Sequence, residues 1–418
     1  MISRKHVLRG LIVPVAAALA IAGCGSSSNS SPSATTGGGA GSSGSEIVIG
    51  SVGSFTGAQA SSQAGVPMVL QAWASWVNAH GGVRGHPVKL IIKDIGSNAA
   101  GGLAAVKELV QQDHVVAIVG EEDNDDSSWA SYIAGTGVPV IGGVSLDLPF
   151  VTNPDFFPVG TNIFADIYGE QILAKSVGPS MGLLYCAESP QCAGLGPIHK
   201  GIAQATGLRI PISAKVAGTA PNYTAVCEQL KSAGVSSYSV GSGSAVVLRI
   251  VHECAADGLK AKQVAADGAL TTAWLKEPAV NGALIAELVF PFFDASVPAS
   301  KQMQSAIQQY APSLGQLDGP TAAYSWVSGK LFEKVGSAIP AGTAITPESI
   351  KAGLYTLKNE TLGGLAPPLT FTKGKPAVIN CYFVVGVSNG KFTEPQGLKT
   401  SCAPDALVNG VLASFPKN

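Results

Sequence analysis

The chain has 418 residues with 26 basic and 27 acidic side chains, a formal net charge of −1, and 46% of its residues are hydrophobic. A balance this close to neutral gives no support to a nucleic-acid-binding role. The length is too great for one ordinary core and predicts two domains.

The first residues carry Arg4, Lys5 and Arg9, followed by an apolar run from Leu11 to Ala22 and the sequence Ile21-Ala22-Gly23-Cys24. The run is too short for a comfortable membrane span and reads as a secretory signal, residues 1–23. The small residues before Cys24 resemble the lipobox of bacterial lipoproteins, which implies lipidation of Cys24 and a mature chain anchored at the outer face of the cell membrane. A plain signal peptide with an incidental cysteine is the alternative. Residues 25–45 are almost entirely Ser, Gly, Ala and Thr, a composition that cannot bury a core. Fully extended, this tether would reach roughly 70 Å.

Seven cysteines are present. Setting Cys24 aside leaves an even number in an exported chain, so disulfides are expected. Local pairing is the most economical choice among the fifteen possible: Cys186 with Cys192, Cys227 with Cys254, and Cys381 with Cys402. No CxxC pair exists and the histidines are scattered, so no metal site and no cofactor are expected.

From Glu46 onward strands alternate with helices. Ile47–Val52 is a strand, Gln63–Ala79 a helix with Val66, Val69, Leu70, Trp73 and Val77 on one face, Val88–Lys93 a strand and Ala99–Gln112 a helix. Two short apolar runs follow, Val115–Val119 and Val138–Ile141. The first breaks off at Gly120 in an acidic segment, Glu121 to Asp126, and the second in Gly142-Gly143-Val144-Ser145; a helix over Trp129–Thr136 connects them. Ligands of open parallel sheets sit beyond the carboxyl ends of the strands, so both breaks should line a crevice. A second series predicts strands at Met181–Tyr185, Ile210–Val216, Ser237–Val240 and Gln263–Ala266, with helices at Gly194–Thr206, Thr224–Ala233 and Ala245–Asp257. Helices at Ser300–Tyr310, Pro320–Ala338 and Pro347–Leu357 come next, and a hairpin-like end, Ala377–Val387 and Lys391–Phe392, turns at Ser388-Asn389-Gly390. The expected fold class is α/β, with two lobes that each hold a mainly parallel sheet flanked by helices.

The strand IVIGSVGSFTG, the helix ending Asn78-Ala79-His80-Gly81-Gly82-Val83-Arg84-Gly85 and the strand ending Lys93-Asp94 are similar to the opening of the leucine/isoleucine/valine-binding proteins, type I periplasmic substrate-binding proteins of ABC transporters. The resemblance implies two lobes joined by three crossovers, near Asn162–Ala165, Phe290–Phe293 and Leu365–Leu369. Lobe one would comprise residues 46–163 plus 293–366, and lobe two residues 164–292 plus 367–418. It further implies a monomer that closes over a small polar solute (an amino acid, amide or amine) and hands it to an ABC permease.

Residue by residue, the resemblance places Gly143 and Ser145 against the ligand from lobe one, and Asp267 against a ligand ammonium from lobe two. Gly243 and Ser244 fall where the family often has an aromatic, which implies an open or wetter side of the pocket. Phe55 and Trp129 are candidate aromatic walls, with burial in the core the alternative for each. The largest departure is the acidic segment, where the family usually has a serine-containing turn for the ligand carboxylate. Either its acids point into solvent and only Asn124 or Ser127 reaches the pocket, or the ligand is cationic or lacks a free carboxylate.

An enzyme is the competing class. Gly178-Pro179-Ser180-Met181-Gly182 matches GxSxG, but it precedes a strand, whereas a nucleophile elbow lies between a strand and a helix. P-loop, HExxH and GxGxxG-before-helix motifs are lacking. An exported hydrolase or amidase using the acidic cleft, and a lobe that signals instead of delivering, remain as alternatives.

Overall fold

A computed structural model describes residues 44–57, 60–96, 98–123, 125–188, 190–266, 270–314 and 319–414. The signal segment, Cys24, Asn124 and Asp267 lie outside the described residues.

The first sheet is formed by β1 (Ile47–Gly53), β2 (Val88–Asp94), β3 (Ile118–Glu121), β4 (Val140–Gly143) and β5 (Phe156–Phe157). Its order is β2-β1-β3-β4-β5 and every pairing is parallel. A parallel sheet must be covered on both faces, and β1 shows how its sequence meets that demand. Ile47 and Ile49 enter the core shared with α2 (Val66–Ala79) and α11 (Pro320–Ala338). Val48 and Val52 face the core of α3 (Ala99–Gln111) and α4 (Ser127–Ala134).

The second sheet contains β6 (Ser180–Cys186), β7 (Arg209–Val216), β8 (Ser237–Gly241), β9 (Lys262–Ala265), β10 (Leu284–Glu287), β11 (Cys381–Ser388), β12 (Lys391–Thr393) and β13 (Ser401–Cys402). The order is β12-β11-β10-β9-β8-β6-β7, with β13 also on β11. Strands β6 to β10 run parallel, and the C-terminal strands pair antiparallel. The β11–β12 turn has left-handed Asn389 and Gly390, matching the expected hairpin. Helices α6 (Ile163–Val177), α7 (Pro190–Thr206) and α13 (Asp405–Ala413) share one apolar cluster. On the other side lie α8 (Thr224–Ser232) and α9 (Ser244–Ala256).

The chain passes between the sheets after β5, after β10, and after α12 (Pro347–Leu354). These passages are bonded to one another. Thr161 N–H donates to Leu288 O at 3.2 Å, Asn162 N–H to Ile379 O at 3.0 Å, and Phe290 N–H to Leu365 O at 3.3 Å. Asn162 also caps α6, accepting from the Phe164 and Ala165 amides, while its Nδ2 donates to Ile379 O at 2.7 Å and to Asn380 Oδ1 at 2.8 Å.

Three disulfides follow the local pairing: Cys186–Cys192 from β6 to α7, Cys227–Cys254 from α8 to α9, and Cys381–Cys402 across the β11–β13 pair. Among the described residues no helix is long and apolar enough to cross a membrane.

Candidate functional site

Strands β3 and β4 extend further than their apolar runs suggest. Glu121 belongs to β3 and pairs with Gly143 of β4, and Glu122 bridges to Gly53 at the tip of β1. Both ladders continue because the neighbours dictate register: Glu122 N–H donates to Val52 O at 2.8 Å and Ser54 N–H to Glu122 O at 3.0 Å. The tips of β1, β3 and β4 therefore lie side by side.

Burial overturns the expectation of a solvated acidic loop. Glu121, Glu122, Asp123 and Asp126 are all buried, as is Asp147 just beyond β4. The ladder draws the first two acids inward, and Asp123 is pinned: its Oδ2 accepts the Trp129 indole N–H at 2.7 Å, and its Oδ1 accepts the Asp125 amide at 3.1 Å. Burial pushes the Glu121 carboxyl well above its ordinary range. The charges of Asp123 and Asp147 add to that, and the hydrogen bond from the Asp123 amide only partly opposes it. Asp126 is raised in the same way, first by burial and then by Asp147, Glu121, Asp123 and Asp125.

Gly142 and Gly143 have a packing reason. A Cβ at Gly142 would lie 2.0 Å from Ser328 Oγ, so glycine lets α11 sit directly on the tip of β4. Gly143 has φ +105°, and a Cβ there would lie 2.1 Å from Glu121 O. Its amide is already committed, donating to Ser328 Oγ at 2.9 Å, while Ser328 donates to Tyr324 O. Ser328 had no signal in the sequence, because a buried serine on a helix looks like any other small residue. Ser145 is completely buried and its hydroxyl has no hydrogen-bond partner among the described residues.

The aromatic candidates are core residues. Trp129 is fully buried, stacked on Phe156 at 5.4 Å and holding Asp123, so it supports the tip from behind instead of forming a wall. Phe55 is buried against Gly53 and the Glu122 side chain, with its amide donating to Asp94. Asp94, at the end of β2, fastens this turn. Partial burial pulls its pKa up, but hydrogen bonds from Gly96, Thr56 and Phe55 outweigh that and hold it below its ordinary value.

In lobe two, Gly243 caps α9 and Ser244 begins it. Ser244 is buried, its Oγ lying 2.9 Å from Thr271 Oγ1 and accepting the Trp274 indole N–H at 3.2 Å. Trp274 packs behind Ser244 on that side. The lobes meet beside it: a Cβ at Gly319, before α11, would lie 2.6 Å from Leu270 O, and α1 (Ala60–Gln63) touches α9. The structure thus gathers Gly143, Ser145 and the acids at one tip, and Gly243 and Ser244 at the other lobe's tip.

A family model described as periplasmic binding protein matches residues 46–391. The chain belongs to the periplasmic binding protein family. This binding protein is similar in structure to a branched-chain amino acid ABC transporter protein from Thermus thermophilus with bound valine: TM-score 0.76, 16% identity, 88% of this chain and 98% of that one. An ABC transporter substrate-binding protein of Aeropyrum pernix has TM-score 0.77 at 16% identity, over 89% of this chain and 100% of that one. A fatty acid ABC transporter substrate-binding protein from Thermomonospora curvata gives 0.72 at 16% identity, over 88% and 94% of the two chains. Identities this low carry the fold and not the ligand. Among curated proteins none matches the sequence of this binding protein.

Proposed function

We propose that the chain is the extracytoplasmic solute-binding component of an ABC importer, held at the outer face of the cell membrane through Cys24. It captures a small polar solute between its lobes and presents it to the permease. The observation that carries this reading is the hinge. Two sheets with their helices are connected by three passages bonded to one another, and the tips of β1, β3 and β4 in the first sheet carry buried polar groups side by side. Gly143, Ser145 and Asn124 would frame the solute from one lobe, and Gly243, Ser244 and Asp267 from the other.

The hydrolase reading loses its motif. Ser180 is the first residue of β6, buried, with its hydroxyl 3.5 Å from that of Ser236. A nucleophile elbow needs an exposed serine between a strand and a helix.

The test is a thermal-shift screen of the mature chain against amino acids, amides, amines and short peptides, with product analysis of the same samples. Saturable stabilisation with the solute recovered intact is expected; at a hundred times Kd it amounts to about 2.7 kcal/mol. Turnover of the solute would instead favour the enzyme, and a panel without any stabilising solute would reject the receptor.

A further inference from the structure

Four observations converge on the tips of β3 and β4. Asp126 is 0% exposed and neither of its carboxylate oxygens has a hydrogen-bond partner among the described residues. It occupies the N-cap position of α4, where an aspartate ordinarily accepts from the helix amides, yet its side chain makes no such bond. Ser145, two residues from Asp147 on the adjoining tip, is also 0% exposed with a hydroxyl unpartnered among the described residues. Glu121, Asp123 and Asp126 form no ion pair with any lysine, arginine or histidine of the described residues.

Buried carboxylates without a cation are expensive, and the fold retains them only if something supplies the missing charge or a proton. Among the described residues no three His, Cys, Asp or Glu side chains come together as a metal cage.

Resting on the receptor reading above, we infer that the solute is a net cation, and that its ammonium or guanidinium group enters the β3–β4 tip to be met by the Asp126 and Glu121 carboxylates and the Ser145 hydroxyl. Charge-assisted hydrogen bonds from N–H donors to carboxylates are the strong ones, and here they would form in a site that excludes water. An aliphatic zwitterion bound through its carboxylate would instead be repelled at this tip.

The experiment is titration calorimetry of the mature chain and of Asp126→Asn and Ser145→Ala, using 1,4-diaminobutane, L-arginine and L-lysine as cationic probes. L-valine, acetamide and calcium chloride are the contrasting probes. At least one cationic probe is expected to bind saturably, with affinity falling tenfold or more in Asp126→Asn and less in Ser145→Ala. The unliganded Asp126→Asn protein is expected to melt higher than the wild type, since an unpaired buried acid has been neutralised; this also verifies that the variant folds. Cation affinity unchanged by Asp126→Asn would overturn the inference. So would calcium binding that depends on Asp126. Binding of valine or acetamide with no response to any of the three cationic probes would overturn it while leaving the receptor reading intact. No response to any probe would reject both.

Discussion

A buried titratable group does one of two things in this fold, and the residue that shows the second most clearly lies far from the cleft tips. Asp123 is satisfied by Trp129 and Asp125. Glu170, on α6, is fully buried 3.5 Å from His199 of α7, also buried. Burial pushes Glu170 up to about 7, against the Ser239 hydroxyl and the Ala266 amide pulling down. Burial alone lowers His199 to about 3. The two desolvation costs outweigh their attraction, so the pair rests neutral. For Glu170 the folded-state pKa lies above the unfolded one, so its contribution to stability is complete below about pH 4.5 and is lost as pH rises through 7. For His199 the folded value lies below, so its contribution is complete above about 6.5 and is lost as pH falls towards 3. Glu170→Gln removes the alkaline loss. It is expected to match the wild type near pH 5 and to exceed it at pH 8 by about 2 to 3 kcal/mol, read from melting curves across that range. A constant difference between the two proteins at all pH values would contradict the assignment.

At the scale of elements, helices with a periodic apolar face or a proline at their start were legible, and a buried helix with neither was not. α11 was predicted with its observed bounds, Pro320–Ala338, and α2 is opened by Pro67 and carries Val69, Leu70, Trp73 and Val77 inward. α6 was missed because it is buried almost all round, its inward residues including Ile163, Phe164, Ala165, Asp166 and Ile167 in immediate succession. Without a polar face there is no 3.6-residue rhythm to see. β3 and β4 were placed two to three residues early because polar side chains and glycines were taken as breaks, whereas register with β1 carries the ladder through them. Asn162 gives an element-scale prediction, since one side chain caps α6 and ties the first hinge passage to the third. Asn162→Ala should cost about 1 kcal/mol for the cap and about 1 to 3 kcal/mol more for the two side-chain hydrogen bonds lost to Ile379 O and Asn380 Oδ1. Asn162→Asp keeps the cap but loses the donors, so it is expected to recover only the smaller part. Urea unfolding of the three proteins checks the order, and an aspartate variant as stable as the wild type would show that the hinge bonds contribute nothing.

For the molecule as a whole, the two lobes and their crossovers were legible from strand–helix alternation and family resemblance, but the cleft's chemistry was not. Whether Glu121 or Asp126 faces solvent depends on a ladder and on α11, which returns from nearly two hundred residues away to place Ser328 on Gly143. The same long-range arrangement offers a direct probe of closure. Gly319 lies where the lobes meet, with backbone φ near −168°, a conformation open to any residue, so alanine there brings no local strain. Its Cβ would nonetheless lie 2.6 Å from the Leu270 carbonyl of the opposite lobe. Only the juxtaposed arrangement meets this clash, because separating the lobes removes it. Gly319→Ala should therefore leave the melting temperature of the unliganded protein nearly unchanged while shifting the equilibrium towards open forms. A shift of about 1.4 kcal/mol lowers apparent affinity for any solute gripped by both lobes about tenfold. X-ray scattering should show a larger radius of gyration for the variant than for the wild type at the same sub-saturating solute concentration, the two converging at saturation. Equal affinity and equal scattering in both proteins would mean that the solute is held by one lobe alone, and that the contact between Gly319 and Leu270 plays no part in its capture.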